Sequence, residues 1–189
     1  LEDIQLLEEA IEKQRAVIRH RGSDIASRED LDRLEELLTL YDEEMGGFLI
    51  AQSNRLETES ETALEAKDYE RALDLINGAL TLQVEINEQY PRSSARSASR
   101  VHQLKNKMTQ LRTQPLAERA DQLKAEAYQL AEAGRYEEAK AVIQQALEQQ
   151  QVLNQRHRNS RLASLSRLKQ FEDAWREIQN AEDADRVEQ

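Results

Sequence analysis

The sequence predicts an all-α fold: an elongated tandem helical repeat of three-helix units with a 67-residue period. Three observations carry that prediction. Shifted by this period, the middle of the chain meets its C-terminal part without gaps: Leu49 on Leu116, Leu56 on Leu123, Tyr69 on Tyr136, Ala72 on Ala139, Ile76 on Ile143, Ala79-Leu80 on Ala146-Leu147, Asn87 on Asn154. Apolar residues step by three and four along most of the chain, the spacing of one helix face. Only five Gly and two Pro interrupt the 189 residues, and the rest is dominated by the helix formers Leu, Ala, Glu, Gln and Arg.

In chain order, residues 1–45 read as the later part of a first unit. Ser23 and Ser27 meet Ser93 and Ser97, and Leu31, Leu34, Leu38 and Tyr41 meet Val101, Leu104, Met108 and Leu111. Residues 46–113 and 114–181 read as complete units, and 182–189 as an acidic tail expected to fray. A complete unit has three stretches. Stretch A covers 49–66 and 116–133. Stretch B covers 2–19, 69–89 and 136–156. Stretch C covers 24–44, 95–113 and 162–181, with a narrow apolar stripe of the bundle or coiled-coil kind.

The corners between stretches have physical causes. Gly134 suits the left-handed residue that stops a helix, and in the twin corner Asp68 is expected to take that part. Pro91 ends stretch B in one unit; Gly22 and Asn159 sit at the matching places and tolerate turn geometry. Ser23, Ser93 and Ser160 are the N-cap candidates for stretch C. Gly46-Gly47 is expected to break the first junction between units, and Pro115 to open the second at a first-turn position. Stretch C and the following stretch A are compatible with one kinked helix or with two.

Composition bounds the function. At 39% apolar and 33% charged residues the core is thin and the surface large, which suits an array of helices. The net charge of −11 argues against general binding to nucleic acid or to anionic membranes. There is no cysteine, so disulfide, thiolate-zinc and thiol chemistry are out of reach. No apolar run approaches the roughly 20 residues of a membrane span, no targeting segment is legible, and cytoplasmic and extracytoplasmic settings are both allowed. The chain opens at Leu1, partway through a periodic pattern, and is expected to be a piece of a longer protein.

The A–B hairpin, read as L-x-x-x-A-x-x-L-x-x-x-x-x-Y-E-E-A-x-x-x-I-x-x-A-L from Leu123 to Leu147, resembles a tetratricopeptide motif. Residues 56–80 resemble it too, with Ser60 where Ala127 stands, and the corner Tyr90-Pro91-Arg92-Ser93-Ser94-Ala95 is similar to the inter-helix corner of bacterial envelope tetratricopeptide proteins. The likeness covers under a third of the chain. It lacks the large aromatic of the first helix, and stretch C has no counterpart in a family whose period is roughly 34 residues. What the resemblance implies is protein–protein binding or scaffolding within a larger bacterial-type protein, without catalysis.

No residue set demands a reaction. His20, His102 and His157 lack metal-ligand spacing, no Gly-rich phosphate loop or nucleophile elbow exists, and no cofactor or metal is predicted. Carboxylates at Glu8-Glu9, Glu35-Glu36, Asp42-Glu43-Glu44 and Glu137-Glu138 fall on polar helix faces; an enzyme built on one of them would need that carboxylate buried. Trp175 lies on the stripe of Phe171 and Ile178, the place of a core aromatic.

The B–C corners are basic in every unit: Arg19, Arg21 and Arg28, then Arg92, Arg96 and Arg100, then Arg156, Arg158, Arg161 and Arg167. Arg92, Arg96, Arg100, Arg158, Arg161 and Arg167 are therefore the candidate partner-binding residues. The leading expectation is a non-enzymatic scaffold or spacer with protein partners, no nucleic acid and no membrane insertion. The alternatives are an anion- or acidic-partner-binding module using these corners, and a carboxylate enzyme. The apolar seams of stretch C could also pair between chains as a homo-oligomer.

Overall fold

The computed structural model describes residues 2–22 and 27–188. Ser23 and the start of the first C stretch lie outside the described residues. Six helices follow in order: α1 (Glu2–Arg21), α2 (Arg28–Glu65), α3 (Tyr69–Gln89), α4 (Ala98–Glu132), α5 (Tyr136–Arg156) and α6 (Leu165–Glu188). No strand occurs among the described residues, as the all-α prediction requires. The chain divides into two compact units, Leu1–Lys105 and Asn106–Gln189, and the boundary falls within α4.

The two junctions left open by the sequence are both continuous helix. Gly46-Gly47 does not break α2. The reason Gly46 is there is a close approach: a Cβ at this position would stand 1.9 Å from Ser93 Oγ and 2.8 Å from Ser93 Cβ. The glycine admits the α3–α4 turn to the helix backbone and does not stop the helix. Pro115 likewise lies inside α4 and not in a first turn; lacking an N–H, it cannot close the bond to the carbonyl four residues back.

The helix ends also correct the sequence reading. Ser27 caps α2 with a full capping box: its hydroxyl accepts from Asp30 N, and Asp30 Oδ2 accepts from Ser27 N. Ser97 Oγ accepts from Arg100 N at 3.0 Å, and Ser164 Oγ from Arg167 N at 3.3 Å, at the starts of α4 and α6. The capping serines thus sit four residues after Ser93 and Ser160. Those two are buried and bond inside the turn, Ser93 Oγ accepting from Ala95 N and Ser160 Oγ from Leu162 N.

At the hairpin corners Gly134 (φ +74) ends α4, with Arg135 N donating to Leu130 O and Gly134 N to Ala131 O, the Schellman arrangement. The twin corner closes the same way, Asp68 N to Ala63 O and Lys67 N to Leu64 O, but the left-handed residue is Lys67 (φ +58). Asp68, expected in that role, instead caps α3 by accepting from Arg71 N.

In the first unit α1 packs on α2 and α2 on α3. Ser53 Oγ donates to Ala79 O and Ser60 Oγ to Ala72 O, both buried, so small hydroxyls let these helices approach closely. In the second unit Ala120, Leu123 and Ala127 of α4, Ala139, Ile143, Ala146 and Leu147 of α5, and Phe171, Ala174 and Ile178 of α6 form one core, with half-buried Trp175 packed against it. Each large apolar side chain buried there stabilises by about 2 kcal/mol. The acidic end expected to fray is helical through Glu188. Buried Glu182 takes Lys140 Nζ at 2.8 Å and Arg186 at 2.6 Å, and Tyr136 Oη donates to Asp185.

Candidate functional site

Two of the three basic corners are described in full, the turns 90–97 between α3 and α4 and 157–164 between α5 and α6, and their internal hydrogen bonds correspond. Gln83 Nε2 donates to Asn87 Oδ1 and to Ala95 O, both at 3.1 Å. Gln150 Nε2 donates to Asn154 Oδ1 and to Leu162 O, both at 2.8 Å. Both glutamines are fully buried on helix faces that are otherwise apolar. A primary amide there satisfies the carbonyl of a turn that no helix or sheet supplies with a donor. The sequence reading passed over this pair, although the two glutamines coincide under the same shift as Tyr69 and Tyr136.

Outside, the two turns are tethered differently. Turn 90–97 is clamped by carboxylates of α2: Arg92 N donates to Asp42 Oδ2 at 2.9 Å, and Ser94 donates to Glu43 from its backbone N at 3.0 Å and from Oγ at 2.8 Å. Turn 157–164 meets a hydroxyl, Ser160 Oγ lying 2.8 Å from Thr113 Oγ1 on α4.

The six candidate arginines separate along the same line. Arg92 forks onto Glu35 at 2.7 and 2.9 Å and stands 3.6 Å from Asp42. Arg96 donates to Pro91 O at 2.9 Å. Arg100 pairs with Glu57 at 2.7 Å and donates to Ser53 Oγ at 3.3 Å. Arg167 pairs with Asp121 at 2.9 Å, donates to Gln150 Oε1 at 3.1 Å, and lies over the Phe171 ring. Arg158 and Arg161 are exposed and make no ion pair among the described residues. Four candidates are thus engaged within their own unit, and two face solvent.

The charges respond to these contacts. The guanidinium of Arg92 holds Glu35 below the ordinary carboxylate range, and hydrogen bonds from Ser94, its backbone N–H first, do the same for Glu43. Arg92 is raised in turn, chiefly by its bond to Glu35. Among the described residues the buried acids are Asp42 and Glu182. Both are met by cations or backbone N–H groups, and Glu182 is held low, first by its hydrogen bond from Lys140. Glu182, held low in this way, stays ionised near neutrality. Burial, then the bond to Glu177, pushes the Tyr128 phenol up to about 12.

Among the described residues no group of His, Asp and Glu has the arrangement of a metal site. A surface depression of about 550 Å³ is lined by Arg28, Glu29, Asp32, Arg33 and Glu36, all from the first turns of α2, so it runs along one helix and is not a cleft between elements. No helix among the described residues is long and apolar enough to cross a membrane. Searches against family models, curated proteins and solved structures find no match to this chain.

Proposed function

We propose that the chain is a non-enzymatic protein-interaction module, a scaffold or spacer assembled from a three-helix unit that recurs every 67 residues. The observation that carries this reading is the buried glutamine pair. Gln83 and Gln150 make the same two donations to the same relative partners, at the same place in helices that both run 21 residues. A turn rebuilt in this detail argues for a recurring structural unit whose purpose is to place surfaces at fixed spacing. The likeness of the hairpins to tetratricopeptide motifs points the same way. Photo-crosslinkers placed at exposed helix positions of the chain test it: the reading expects a reproducible protein partner that disappears when residues 106–189 are removed. The absence of any reproducible partner contradicts it.

A second reading, an acidic-partner binder, is favoured by Arg158 and Arg161, which are exposed without an internal counter-ion.

A further inference from the structure

We propose that the α5–α6 turn of the second unit, together with the adjoining part of α4, is a docking surface for an acidic polypeptide segment. This deepens the interaction-module reading and rests on it. The surface is made of Arg112, Arg156, Arg158 and Arg161. All four are exposed, and none makes an ion pair or side-chain hydrogen bond among the described residues. The contact between Ser160 and Thr113 brings the two stretches together: Arg112 directly precedes Thr113 on α4, and Arg158 and Arg161 lie within two residues of Ser160.

The concentration of charge is unusual for this chain. No Asp or Glu occurs between Glu88 and Glu118, nor between Glu148 and Glu172, in a protein that has 37 acidic residues and a net charge of −11. The second unit therefore brings the end of one acid-free stretch, residues 106–117, against the other, residues 149–171. Val152 and Leu165 flank the turn and are exposed, Leu165 by 80%, so the surface offers apolar contact beside its cations.

The first unit shows what this position binds. There the matching turn is held by Glu35, Asp42 and Glu43, three carboxylates from one helix. Thr113 of α4 meets Ser160 where Gly46 of α2 meets Ser93, so in this contact register the positions matching Asp42 and Glu43 are Thr109 and Gln110, neither of them an acid. The second turn thus lacks the acids from its own unit and carries extra arginines at 156, 158 and 161, where the first has Gln89, Pro91 and Ser94. An acidic segment supplied from outside restores the missing complement. A nucleic acid fits less well: the excess negative charge repels a long polyanion, and residues 149–170 hold no Phe, Tyr or Trp on which a base could stack.

The test is fluorescence anisotropy on the full chain with three labelled probes: a Glu/Ala peptide of about 20 residues, its Gln/Ala counterpart and a single-stranded DNA of similar charge, at low and at high ionic strength. The Glu/Ala peptide alone should bind, with salt-sensitive affinity. The double variant Arg158→Gln/Arg161→Gln should weaken it about tenfold. Arg55→Gln, on an exposed α2 pair with Glu59, should leave it unchanged. Both substitutions replace exposed side chains, and circular dichroism confirms folding. No peptide binding, equal binding by the double variant, or tighter binding of the DNA overturns the proposal. If the protein still crosslinks to a partner elsewhere on the chain, only the docking surface fails and the module reading stands.

Discussion

Turn 90–97 and turn 157–164 share a skeleton and differ in what surrounds it. In each, a buried glutamine holds a carbonyl, a serine hydroxyl folds back on an amide two residues on, and a second serine caps the next helix. The neighbouring helix then diverges. α2 presents a bare glycine backbone flanked by carboxylates, whereas α4 presents Thr113. The turn's own sequence sets its internal bonds, while the helix opposite decides how closely it sits and whether its cations are neutralised. One divergence reaches the interior. Arg167 Nε bonds Gln150 Oε1, but in the first unit Gln83 Oε1 and Arg100 Nε are both buried without partners, because Arg100 is drawn to Glu57 and Ser53.

The largest effect expected from breaking this comparison is at Gly46. Gly46→Ala drives a methyl into Ser93 and should cost about 3 kcal/mol, whereas Gly47→Ala, with open space around it, should gain about 0.5–1 kcal/mol from helix propensity. Urea titration of the two variants measures the opposite signs. Next come the glutamines. Gln150→Ala abandons a fully bonded amide and should cost about 2–3 kcal/mol; Gln83→Ala, which already has an unsatisfied oxygen, should cost roughly 1 kcal/mol less.

Acid distinguishes the tethers. Glu35 and Glu43 titrate below their ordinary value in the folded protein. Their stabilisation is therefore present above the usual carboxylate range and lost as pH falls through the depressed values. Amide exchange should show the Ser94 N–H, bonded to Glu43, losing protection in that window while Leu162 N–H, bonded to a hydroxyl, keeps its own. The smallest effects lie at the hairpin corners, each well made on one side only. Lys67→Gly should stabilise by about 1 kcal/mol and Gly134→Ala destabilise by a similar amount. Arg135, which starts α5 without a side-chain cap, should gain about 0.5–1 kcal/mol as Arg135→Asp. Thermal melts of the three variants check these signs.

Helix positions were legible because periodicity and the pairing of Tyr69 with Tyr136 survive any change of surface. The continuity of α2 and α4 was not. A glycine pair reads as a break when only its backbone freedom is considered, and the close approach of Ser93 that demands Gly46 comes from 47 residues away. The capping serines were misplaced by one helical turn because Ser93-Ser97 and Ser160-Ser164 offer two hydroxyls each, and only packing against α2 or α4 decides which faces inward. The arginines were found as a set, but which of them are neutralised depends on Glu35, Asp42, Glu57 and Asp121, all at least 40 residues distant in sequence.

The central claim, that one buried amide organises both turns alike, is tested most directly by NMR exchange of the side-chain amide protons of Gln83 and Gln150. With each Nε2 donating both hydrogens inside the fold, the account predicts that both glutamines are strongly protected and stand apart from the solvent-facing glutamines. Exchange of either one at the rate of an exposed glutamine contradicts it.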